Sequence, residues 1–160
     1  MIEIKAPGPL PAKMRTLFLA GSIEQGLAAD WQSDVVRMLQ DTDWTVLNPR
    51  RDDWDSSWEQ TIEFEPFRNQ VEWELDAMGL ADQVLMYFDP ETKSPITLLE
   101  LGLIVGNPET NHRLMVVCPS GFWRKGNVDI VCTRYSVKLY VDLFDAVEQL
   151  KIDIAESRVG

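Results

Sequence analysis

The sequence predicts an α/β fold, a parallel β-sheet covered by helices on both faces in a single domain. Three observations carry this. Apolar runs and helix-period segments alternate along the whole chain, as βαβ units require. The apolar runs are short and nearly continuous, which marks strands buried on both faces. The length of 160 residues suits one core without a second domain.

Taken in order, residues 1–15 contain Pro7, Gly8 and Pro9 and lack a long apolar run, so they read as a flexible N-terminal segment, neither signal peptide nor membrane span. The folded domain spans 16–160. "TLFLA" at 16–20 is a first buried strand, stopped by Gly21 and Ser22. Leu27, Trp31, Val35, Met38 and Leu39 recur at helical spacing over about 25–40. "WTVLN" is a second strand ended by Pro49, and 48–63 has neither period, which makes it a long loop that needs a functional reason. A helix follows over 67–80, then a third strand "QVLMYF" at 83–88 and a helix from Ser94 to about Val105. "RLMVVC" at 113–118, a short helix near 127–134, a weaker strand "VKLYV" at 137–141 and a helix over 143–156 complete five strands. In sheets of this kind ligands bind at the carboxyl ends of the strands. The loops that follow Ala20, Leu47, Phe88 and Cys118 are therefore the places to look for a site.

A formal charge of −11 with 45% hydrophobic residues describes a folded protein that a nucleic-acid backbone or an anionic membrane would repel. Cys118 and Cys132 form neither a disulfide framework nor a zinc spacing, so a reduced cytoplasm is the expected compartment and no metal or other cofactor is implied. The stretch "AGS" lacks the glycine fingerprint of a dinucleotide site.

The stretch "SPITLLELG" at 94–102 holds one carboxylate, Glu100, among leucines and isoleucines. Ser94 and Pro95 are a helix start, serine as cap and proline at the first helical position. Glu100 lies one turn too late to cap, and Ile96, Thr97, Leu103 and Ile104 surround it with no base at i±3 or i±4. Either it reaches solvent or a distant arginine, or it is a buried acid with a task. Glu74 interrupts the apolar series Phe67, Val71 and Met78 on the preceding helix in the same way. Glu74 is either an edge residue whose carboxylate snorkels to water or a second acid facing the same cleft, and two such inward acids would suit glycosidic-bond chemistry, whose working groups are paired acids.

The blocks "LFLAGSIEQG", "NPRRDDW", "QVEWELDAMGLADQVLMYF" and "SPITLLELG", in this order, resemble the nucleoside 2-deoxyribosyltransferase-like family over about residues 16–142. The resemblance implies a three-layer, doubly wound, flavodoxin-like sheet of five strands and cleavage of the N-glycosidic bond of nucleosides. It puts Glu100 on the family's nucleophile, which holds the sugar as a covalent glycosyl ester. Glu74, eight residues before Asp82, falls where the family's enzymes carry an acid that contacts the sugar, with Asp76 as the alternative. Gly21 and Ser22 lie on the sugar-edge loop. Asn127 in "RKGNV" is similar to an asparagine that the family lends to a neighbouring subunit's site, which implies a homodimer or higher homo-oligomer.

The chain departs from many transferases in having Ser94 where they carry an aspartate six residues before the nucleophile. That serine, with "AGSI", is similar to the branch that hydrolyses nucleoside 5′-monophosphates; Asp89 is a substitute acid. Arg50 and Arg51 could clamp a phosphate or base edge, or pair with Asp52, Asp53 and Asp55. Trp54, Trp58 and Trp73 could stack on a base or fill core. The single histidine, His112, reads as surface. Transfer of a deoxyribosyl group to another nucleobase is the first functional expectation. Nucleotide hydrolysis is the second, and a non-catalytic nucleotide-binding module the third.

Overall fold

A computed structural model describes residues 1–12, 14–23 and 28–157. The sheet has six strands rather than five: β1 (Ile2–Lys5), β2 (Thr16–Gly21), β3 (Thr45–Asn48), β4 (Gln83–Tyr87), β5 (Leu114–Val117) and β6 (Lys138–Tyr140). Each pairing is parallel, in the order β1-β3-β2-β4-β5-β6. The extra strand lies inside the segment read as a flexible tail. "IEIK" is too short to form an apolar run, yet its backbone pairs with β3 from Ile2 opposite Thr45 to Lys5 opposite Asn48.

Without that edge strand the order is 2-1-3-4-5, the doubly wound arrangement whose switch point falls between the first and third strands. Here those strands are β2 and β4. Five helices cover the sheet: α1 (Trp31–Met38), α2 (Glu65–Leu80), α3 (Pro95–Val105), α4 (Lys125–Arg134) and α5 (Leu143–Ser157). Trp73 and Ala77 of α2, Leu101 and Ile104 of α3 and Val128 and Cys132 of α4 pack in one core with Phe18, Ala20 and Met86. Trp31 and Val35 of α1 and Ala146, Val147 and Leu150 of α5 pack with Leu17, Leu19 and Leu85 in the other. Alternate residues of β2 thus feed opposite cores, as a pleat with period two demands.

The helix expected from about residue 25 begins at Trp31, where the Asp30 carboxylate caps the Ser33 N–H at 3.2 Å; Gln25–Leu27 lie outside the described residues. Trp73 is core, and its indole N–H donates to the Gly8 carbonyl at 2.7 Å, which ties α2 to the segment after β1. Among the described residues no helix is long and apolar enough to cross a membrane.

Candidate active site

The switch point is built by β2 and β4 running side by side to their carboxyl ends, Gly21 opposite Tyr87. Gly21 has φ +143°, and a Cβ there would stand 2.4 Å from the Tyr87 carbonyl oxygen. Only glycine permits this approach. Ser22, buried, donates its N–H to the same carbonyl at 3.0 Å, and its hydroxyl accepts the Asp89 N–H at 2.9 Å.

Three hydroxyls meet there. Ser22 Oγ is hydrogen-bonded to Ser94 Oγ, and Thr92 Oγ1 lies 2.7 Å from Ser94 Oγ and 3.2 Å from Ser22 Oγ. Ser94 does start α3, but it is left-handed, with φ 48° and ψ 50°, and its side chain makes no capping bond. The hydroxyl turns to the switch point instead of to the helix amides. Asp89 is buried beside them, and its two oxygens accept the Ala29 N–H at 3.0 Å and the Glu91 N–H at 2.9 Å. The residue suggested as a substitute acid therefore clamps the loop after β2 to the loop after β4.

The two carboxylates lie on the pair of helices packed over β2. Glu100 faces inward from α3 and is 8% exposed. Burial, and then the charge of Glu74, push its carboxyl up to about 8. Glu74, half-buried on α2, is pushed up to about 7 by burial, against a hydrogen bond from Gln70 that pulls it down. Each acid thus binds its proton more tightly than usual for the reason that disturbed the sequence pattern: its helix face is largely apolar and supplies no base. The buried face of α2 is Gln70, Trp73, Ala77 and Met78, with Val71 exposed, so the stripe is rotated slightly from the one the sequence suggested. Asp76, two positions beyond Glu74 and so on the far side of the helix, is exposed.

Arg50 lies at the entry to α1. Its guanidinium donates to the carbonyls of Ala28 and Ala29 at 3.1 Å each and to Gln32 Oε1 at 3.3 Å, and it lies 3.9 Å from Asp30, holding the entry to α1. Arg51 pairs with Asp53 through bonds of 2.8 and 2.9 Å and covers the Trp58 ring at 5.0 Å. Trp54, Trp58 and Phe64 stack in turn within the long loop. Asn127 is exposed on α4, away from this chain's own carboxylate pair in sequence and element. Sequence reasoning missed Thr92 and Gln70. Gln70 could have been found as the i−4 neighbour of Glu74 on a helix face, whereas Thr92 depends on the conformation of the loop. A cavity of about 500 Å³ lies at the amino ends of β2, β3 and β4, opposite the switch point, lined by Arg15, Trp44, Asp82 and Asp153, and includes none of these residues.

The model of the family described as "Nucleoside 2-deoxyribosyltransferase like" matches residues 14–122. The chain belongs to that family. The match covers well over half of the chain and includes β2 to β5, both carboxylates and the three hydroxyls. Asn127 falls beyond it. A comparison with curated proteins gives no match. This member of the nucleoside 2-deoxyribosyltransferase-like family carries Glu74 and Glu100 on α2 and α3, the two helices packed over β2.

Proposed function

We propose that the protein cleaves the N-glycosidic bond of a (deoxy)nucleoside through a covalent glycosyl intermediate on Glu100 and transfers the sugar to another nucleobase. The observation that carries this is the pair Glu74 and Glu100, two acids drawn together in an apolar setting with raised proton affinity. A Glu100 carboxylate oxygen bonds to C1′ as the bond from C1′ to the base nitrogen breaks. The electron pair leaves with the base. Glu100 releases a proton to become the carboxylate and the base takes one up, so the step balances. A second base, attacking C1′ with its nitrogen lone pair as the ester bond to Glu100 breaks, gives up its N–H proton, which returns to the freed Glu100. Glu74 is the acid that contacts the sugar hydroxyls, and the Gly21–Ser22 turn lines the sugar edge.

A second reading is hydrolysis of a nucleoside 5′-monophosphate, with water as the acceptor. The hydroxyl group of Ser94 beside those of Ser22 and Thr92 favours it, because such a cluster can donate to phosphate oxygens where an aspartate would repel them. Incubation with a deoxynucleoside and a different free base separates the two: a new nucleoside supports transfer, whereas cleavage of deoxynucleotide alone supports hydrolysis. A 2-fluoro sugar analogue should leave a mass adduct on Glu100. An adduct on another residue, or none with turnover intact, defeats the covalent assignment.

The working unit proposed here is a homo-oligomer with shared sites. Ile96, Leu99 and Leu103 form one exposed face of α3, between 51% and 60% open, and Leu103 lines a groove with Leu75 of α2. Continuous apolar surface of this kind is what a subunit contact covers. Asn127 on the neighbouring α4 would then reach a second chain's site.

A further inference from the structure

Gln70 joins the loop after β3 to the carboxylate pair. It is 3% exposed, in α2, one turn before Glu74. Its side-chain nitrogen donates to Glu74 Oε1 at 2.7 Å and to the Pro49 carbonyl at 3.0 Å, and its oxygen accepts from Arg51 Nη1 at 3.5 Å. A carboxamide has two N–H donors and one acceptor oxygen. These contacts use all three groups, so the amide has one orientation: turned over, its oxygen would face a carbonyl and a carboxylate. Arg51 is itself anchored on Asp53.

A donated N–H favours the ionised form of a carboxyl. Gln70 gives Glu74 that support; among the described residues no donor gives it to Glu100, which bears its burial and the Glu74 charge. The other charged groups nearby are turned elsewhere: Arg51 to Asp53 and Gln70, Asp89 to the amides of Ala29 and Glu91, and Asp76 to solvent. We propose that Gln70 is the positioning residue of the pair, fixing the Glu74 carboxylate through its N–H so that Glu74 gives up its proton before Glu100 does. The proposal rests on the roles given above to Glu100 and Glu74.

The test uses the full chain with Gln70→Met, which keeps the volume and removes the donors, and Gln70→Asn, which keeps an amide too short to reach. Carboxyl carbon resonances of the ligand-free protein report the Glu74 midpoint, and kcat and KM are followed against pH with a deoxynucleoside. The Glu74 midpoint should rise by about one unit in Gln70→Met. Near pH 7 kcat should fall about tenfold or more, with KM changing less, because the acid loses its place and its charge together. The Asn variant should share both effects and provides the test if the Met variant does not fold. A Glu74 midpoint unchanged in a folded variant overturns the proposal. If the wild-type protein cleaves no nucleoside or nucleotide, the assigned reaction fails, while the Glu74 titration still decides what Gln70 does.

Discussion

At the scale of single residues, the proposed chemistry turns on Glu100, whose carboxyl is pushed up to about 8 by burial and by the charge of Glu74. The nucleophile must be the carboxylate, so kcat/KM, which reports the free protein, should rise with pH through that value; a profile flat from pH 6 to 9 would deny Glu100 the role. Glu74→Gln removes the second cause of the shift and should move the Glu100 midpoint down, though not to an ordinary value, because burial remains the larger cause. Stability has the opposite sign to activity. Both acids bind protons more tightly folded than unfolded, so their contribution is complete below the unfolded value near 4.5 and is lost as pH rises through about 7 and 8. Glu100→Gln should therefore abolish cleavage and stabilise the fold by about 2–4 kcal/mol at pH 9, read by denaturant unfolding, with little difference at pH 4. Glu100 was legible in the sequence because leucine-rich neighbours at helical spacing left it no base to pair with. Gln70 was not legible, because a glutamine one turn from a glutamate is ordinary on any exposed helix face, and only its burial distinguishes it.

At the scale of elements, the site depends on how closely β2 and β4 approach and on what ties their loops together. Gly21→Ala would force a Cβ against the Tyr87 carbonyl at a positive φ, a strain that should lower stability by about 2–3 kcal/mol in thermal or denaturant unfolding. Asp89→Ala strips acceptors from the Ala29 and Glu91 amides, so it should cost about 1–3 kcal/mol and weaken substrate binding through the loosened loops. Recovery of binding by Asp89→Asn, which keeps one acceptor oxygen, would mark the role as structural. The strands of the central sheet were legible because burial on both faces requires continuous apolar runs. The sixth strand was not: β1 sits at the sheet edge, its four residues are mostly exposed, and polar positions alternate with isoleucine. Ser94 shows the same limit at a helix start. A serine before proline predicts a cap, but its left-handed backbone points the hydroxyl at Ser22 and Thr92, a choice made by residues far away in sequence.

At the scale of the molecule, strand order positions the candidate site, and the exposed apolar face of α3 is the basis of the proposed assembly. Removing β1 from the order leaves the switch between β2 and β4, and the helices that carry Glu74 and Glu100 both pack over β2, close enough for the charge of Glu74 to act on Glu100. The exposed Ile96, Leu99 and Leu103 face should make the protein at least a dimer by light scattering. Leu99→Glu with Leu103→Glu should shift it toward monomer, and activity should fall with the mass if sites are shared. Activity retained in a monomer would remove Asn127 from the site.

The alternation of apolar runs and helical periods determined the α/β class, because burial demands particular residues at particular spacings, and four sequence blocks in a fixed order pointed to the family. Tertiary structure alone decided that Arg50 secures backbone carbonyls, that Asp89 clamps two loops and that Gln70 reaches Glu74. Each of those roles depends on which hydrogen-bond partners the fold leaves within about 3 Å, and polar side chains of the same type look alike in sequence whether they face a substrate or another part of the chain.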